Sequence, residues 1–231
     1  MTIAKGRSNF ECYLDESFII LERYLDLLPD LITEYKNTQL KETEKTISKE
    51  EDPYIKQTIS THLHNLNRFE DFNEMHDIFY KSYLISICSF SESFLAKLFK
   101  KLSILNEIKK INDSEFYFKK YLEVINNYLN QKNTNYQIKL HNIFELRNLI
   151  VHGNSLLDNP NNNNKISNRI LIVNQFVESY PNSLKIDNDN KLIIKDNIFL
   201  TEVTSIIYDG LSIILSQTET KLKNSNLHIV L

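Results

Sequence analysis

Leu14, Phe18, Leu21, Leu25 and Leu28 recur at spacings of three and four residues, the apolar stripe of an amphipathic helix, and Ser8 and Asn9 precede it as capping residues. Pro29 has no amide hydrogen and is expected to end or kink that helix. A second helical piece is expected from Pro29 into the charged stretch 41–52, closed by Pro53. From about residue 58 to 111 the pattern predicts one long helix or two joined ones, apolar on most sides between Met75 and Leu105 and therefore the centre of a bundle. Within it Ser82, Ser86, Ser89 and Ser93 form a stripe of small polar residues suited to close packing of another helix. Asp113 or Ser114 can cap a third helix reaching about Asn130, with Phe118, Tyr121, Leu122, Ile125 and Leu129 on its inner side. A fourth is expected from Tyr136 to His152, stopped by Gly153 in a left-handed cap.

A loop over 154–164 leads to Ile166, Ile170, Val173 and Val177, which suit a short helix, although Ile170 to Val173 also reads as a strand. Leu184 to Ile186 and Lys191 to Ile194 flank the polar turn Asp187-Asn188-Asp189-Asn190, the signature of a β-hairpin. Asp196 or Asn197 then caps a last helix to about Leu222, with Leu200, Val203, Ile207, Leu211, Ile214 and Leu215 facing inward.

Three glycines and four prolines in 231 residues are sparse for an all-β fold, so helices are expected to dominate. A net charge of -3, with 42% hydrophobic and 25% charged residues, excludes a disordered tail, a collagen-like fibre and a membrane bundle. The longest uncharged run in an apolar region, 82–91, falls short of the about 18 residues of a membrane span, and residues 1–7 lack a signal peptide's apolar stretch. A soluble, cytoplasmic protein is expected. Cys12 and Cys88 make no disulfide framework and no zinc site by themselves. The 28 asparagines read as compositional bias. An acidic balance draws no polyanion to the whole surface, so any nucleic-acid site has to be local.

The informative segment is Glu145-Leu146-Arg147-Asn148-Leu149-Ile150-Val151-His152-Gly153. On a helical wheel His141, Glu145, Asn148 and His152 share a narrow polar arc, while Arg147 falls in the middle of the apolar arc. A guanidinium cannot lose its charge and needs a carboxylate, a phosphate or a second subunit beside it. Glu92, set among Phe90, Phe94, Leu95 and Leu98, is the candidate carboxylate. At a helix C-terminus the dipole favours a protonated imidazole, so His152 is placed to exchange protons near neutral pH. A plain dipole partner and a structural ion pair are the competing uses of these two residues. His62 and His64, two apart, make a poor metal site, and Lys97, Lys100, Lys101, Lys109 and Lys110 cluster where cations favour a helix end.

The string Arg147-Asn148-Leu149-Ile150-Val151-His152, closing a helix after a core helix that contains Ser91-Glu92-Ser93-Phe94-Leu95, resembles the R-x4–6-H motif of the HEPN (higher eukaryotes and prokaryotes nucleotide-binding) superfamily. The resemblance covers about residues 71–222 and implies an all-α, HEPN-like helical bundle, here with a small β-hairpin insertion before the last helix. One domain over 1–231 is expected: an N-terminal helical extension (1–57), core helices with the motif (58–152), a loop, short helix and hairpin (153–195), and a closing helix and tail (196–231).

The implied activity is a metal-independent endoribonuclease of toxin or anti-phage type, a homodimer that needs no cofactor and meets RNA and an antitoxin or defence-complex protein. By position Arg147 would hold the scissile phosphate, His152 would move protons and Asn148 would orient either, with Glu92 in support. RNA brings its own nucleophile, the 2′-hydroxyl, so a base, an acid and a fixed cation suffice. Positions five apart on a helix diverge by about 140°, so two motif helices side by side in a dimer are expected to build the groove. The alternatives are a non-catalytic module that binds RNA or a nucleotide, and a helical interaction subunit of a defence complex.

Overall fold

A computed structural model describes residues 8–67, 70–108, 118–131, 134–153, 156–157 and 163–225. They form seven helices and one hairpin: α1 (Asn9–Lys49), α2 (Pro53–Asn67), α3 (Glu70–Ile104), α4 (Phe118–Tyr128), α5 (Asn135–Gly153), α6 (Asn163–Ser179), β1 (Leu184–Ile186), β2 (Leu192–Ile194) and α7 (Ile198–Asn224). The fold is all-α with a small β insertion before the last helix, as the hydrophobic pattern predicts.

Ser8 opens α1 with a capping box: its hydroxyl accepts the Glu11 amide at 3.1 Å, and the Glu11 carboxylate accepts the Ser8 amide at 2.9 Å. α1 does not end at Pro29 but continues through it as one helix. Leu25, Leu28 and Ile32 are buried on both sides of the proline, so packing on one face outweighs the single hydrogen bond it removes. The charged segment does close before Pro53: α1 ends at Lys49, and Pro53 is the first residue of α2. Asp52 accepts the Tyr54 and Ile55 amides at 2.8 and 3.3 Å, and a proline in the first turn has no N–H to satisfy.

The long apolar stretch resolves into α2 and α3, and α3 threads the core with Tyr83, Leu84, Ile87, Cys88, Phe94, Leu95, Leu98 and Leu102 buried. Ser82, Ser86, Ser89 and Ser93 are exposed, so the close helix contact expected along them is not made. Two of these hydroxyls donate back to carbonyls of their own helix, Ser82 to Ile78 and Ser86 to Ser82. The capping role expected of Asp113 or Ser114 falls outside the described residues. All six residues of α7 expected to face inward are buried. By length and composition α7 could cross a membrane, yet half of its most apolar window is covered by the bundle. Gly210 lets it approach α5: a Cβ there would stand 2.9 Å from Leu140 Cδ1.

The stretch 166–177 belongs to helix α6. The hairpin pairs Leu184 with Ile194, Lys185 with Ile193 and Ile186 with Leu192. Its outer edge is met by an ion pair that the sequence did not single out. Asp77 Oδ1 accepts the Ile194 amide at 2.8 Å, Lys81 Nζ donates to the Leu192 carbonyl at 2.6 Å, and the two side chains meet at 2.5 Å. Both are buried. A helix of the core thus supplies the donor and acceptor that a third strand would otherwise provide.

Gly153 is the last residue of α5 and is not left-handed; among the described residues Asn106, Asn130 and Asn190 hold the positive φ values, 59°, 56° and 57°. After α3, the Glu107 amide reaches the Leu102 carbonyl and the Asn106 amide that of Ser103; after α4, the Gln131 and Asn130 amides do the same to Asn126 and Asn127. These are Schellman closures with asparagine where glycine is commonest.

Candidate functional site

The motif occupies the last two turns of α5. Leu146, Leu149 and Ile150 are buried on its inner side, and Ile143 and Leu140 continue that seam toward its start. The packing leaves Arg147 and Asn148 half-buried and His152 exposed beside the exposed Val151. Arg147 Nη1 donates to Asn148 Oδ1 at 3.1 Å, whereas Arg147 Nε is buried without a hydrogen-bond partner. Two of the expected site residues are therefore joined, and His152 stands about 140° around the helix from Arg147.

Glu92 does not neutralise Arg147. Its Oε1 accepts the amide of Phe118, the first residue of α4, at 3.1 Å. An unpaired N–H at a helix N-terminus, with the positive end of the helix dipole behind it, competes well for a carboxylate. Among the described residues Arg147 has no carboxylate within ion-pair distance. Both charges still reach Cys88 on α3: burial pushes its thiol well up, Arg147 pulls it down and Glu92 adds to the rise. The fully buried thiol is inert, and no nucleophilic role falls to it.

The ion pair on this side of the bundle is a different one. Arg169 of α6 donates from Nε to Glu145 Oε2 at 2.8 Å. Sequence reasoning placed Glu145 on the polar arc but passed over Arg169, because a pairing across 24 residues has no local signature.

Next to this pair, a cleft of about 270 Å³ opens between α5, α6 and α7, lined by Lys139, Asn142, Gln175, Phe176, Tyr180 and Glu202 among others. Burial and a hydrogen bond to Glu202 push the Tyr180 phenol upward, so it stays a neutral donor. Of the lysines near the end of α3, Lys97 donates to the Tyr13 hydroxyl at 2.9 Å and lies over its ring, which ties it to α1; Lys109 and Lys110 fall outside the described residues. So do the side chains of His62 and His64. Among the described residues no three His, Cys, Asp or Glu side chains gather as a metal-holding group.

Comparison of the chain with family models, with curated proteins and with solved structures returns no match.

Proposed function

We propose that this protein is an endoribonuclease of the HEPN type, in which Arg147 grips the scissile phosphate, Asn148 orients that grip and His152 transfers protons. The observation that carries the reading is the state of Arg147: a half-buried guanidinium, held by Asn148, with one N–H buried and unpaired and, among the described residues, no carboxylate within ion-pair distance. Desolvated cations are costly unless paired, and an arginine fork matches two oxygens of a phosphodiester. An anion arriving there would satisfy donors that the free protein leaves open.

The chemistry follows from the substrate. The 2′-hydroxyl loses its proton to a base and attacks phosphorus, and the 5′-oxygen leaves as it gains a proton from an acid. The products are a 2′,3′-cyclic phosphate and a 5′-hydroxyl, and no metal takes part. A neutral imidazole can serve as the base and its protonated form as the acid. Because His152 and Arg147 diverge on one helix, a homodimer with two α5 helices facing one groove supplies both roles and doubles the local positive charge. The toxin or anti-phage role, the antitoxin or defence partner and the cytoplasmic setting rest on the resemblance alone.

Incubation of the purified protein with bulk RNA in EDTA, followed by end-group analysis, tests the reading. Cyclic phosphate ends are expected, with DNA and 2′-O-methylated RNA spared. His152→Ala should abolish cleavage without moving the melting temperature, and Arg147→Lys should fail too, since an ammonium lacks the planar fork. Ends bearing 5′-phosphate that vanish in EDTA would refute the mechanism. The divergence of Arg147 and His152 favours one other reading, a module that holds RNA without cutting it. Tight RNA binding by the wild type with no turnover under any of these conditions would select it.

A further inference from the structure

We infer that Arg169 is a second phosphate-gripping residue of this site, and that the RNA strand runs from the end of α5 along the groove between α5 and α6. The inference rests on the ribonuclease reading and adds to it the residue that positions the strand beside His152. Glu145 and His152 lie seven positions apart on α5, which returns them to within about 20° of one face and separates them by about 10 Å along the axis. Arg169 is fixed to Glu145, so its guanidinium stands on the face of α5 that carries His152, whereas Arg147 points some 140° away.

The manner of fixing matters. Glu145 takes only the Nε hydrogen of Arg169, at 2.8 Å. The side chain keeps about a third of its surface exposed, and neither Nη group is among the buried atoms that lack a partner. A guanidinium anchored at Nε on a side chain about a third exposed is pre-oriented for a phosphate. Glu145, which holds Arg169, lies two turns of α5 before His152, so Arg169 is placed for a phosphate next to the scissile one. Between the same two helices and α7 lies the cleft of about 270 Å³, where Phe176 and Tyr180 offer aromatic surface, Asn142 and Gln175 offer amides, and Lys139 and Glu202 bring one charge of each sign. Arg169, Ile172, Phe176 and Ser179 follow one another at spacings of three and four on α6, so the cation and the cleft are parts of one face. Aromatic surface beside a cation is the pattern by which proteins hold single-stranded RNA.

Binding of a single-stranded RNA oligonucleotide, measured across a salt series in a His152→Ala background, separates gripping from cutting. Arg169→Ala should weaken binding roughly tenfold and reduce the slope of log affinity against log salt by about 1. Arg169→Gln, which can still donate to Glu145, guards against loss of fold and should show the same change with an unaltered melting curve. Arg169→Lys should recover the slope. If folded Arg169→Gln binds with unchanged affinity and slope while Arg147→Ala weakens binding, the inference is overturned and the ribonuclease reading stands. If neither arginine matters to RNA binding, that reading falls as well.

Discussion

Glu92 sits one turn past Cys88 on α3, and its carboxylate closes the start of α4 instead of answering the charge of Arg147. Glu92→Ala should therefore cost about 0.5–2 kcal/mol of stability, the range for a lost helix cap, while Glu92→Gln, which keeps an acceptor oxygen, should cost less. Urea unfolding of both variants checks this; equal losses would mean that the negative charge, not the hydrogen bond, matters. Tyr83 shows a different residue-scale effect. It is fully buried against Thr204 at 2.9 Å, and burial pushes its phenol up to about 12. The folded pKa lies above the unfolded value near 10, so Tyr83 contributes fully to stability below pH 10 and loses that contribution between pH 10 and 12. Two pKa units correspond to about 2–3 kcal/mol. Thermal melts from pH 9 to 12 should show a fall that Tyr83→Phe makes shallower, from a lower starting stability because the hydroxyl bond is gone. The three left-handed asparagines belong to the same scale: in a chain with three glycines, asparagine takes the backbone positions that glycine usually fills.

Between elements, the decisive contact is that of α3 with β2. Asp77 and Lys81, one turn apart on α3, are buried and meet the free edge of the hairpin. Removing one partner strands the other charge and a strand amide or carbonyl, so Lys81→Met or Asp77→Leu should destabilise by about 3–5 kcal/mol. The double variant should recover part of that loss, as measured by chemical denaturation, because it buries no unpaired charge. Losses that simply add would show that the two side chains act independently. The same comparison explains Pro29. It denies one amide to a helix, but burial on one face carries α1 past it.

At the level of the whole molecule, the proposed chemistry depends on which side chains come to one groove. If the active groove is shared and takes base and acid from two His152 side chains, a heterodimer of one wild-type and one His152→Ala chain should cleave no RNA, so cleavage per total protein should fall as the square of the wild-type fraction. Co-refolding the two chains at several ratios and measuring end-labelled RNA cleavage decides it. A loss that follows only the wild-type fraction, in a protein shown to be dimeric by light scattering, would place a working site within one chain.

Local patterns sufficed for most of the architecture. The stripe of α1, the inward face of α7, the capping of α1 by Ser8, the hairpin and the run of α5 to Gly153 all follow from spacings within a few residues, where periodicity and capping act. The motif residues Arg147, Asn148 and His152 were legible for the same reason: they are neighbours on one helix. Tertiary structure alone decided where the charges go. That Glu92 serves α4, that Arg169 rather than Arg147 joins the polar arc of α5, and that Asp77 and Lys81 guard a strand edge depend on contacts across 24 to 117 residues. A carboxylate choosing between a guanidinium and a helix N-terminus responds to distance and desolvation, and both quantities exist only once the helices have packed.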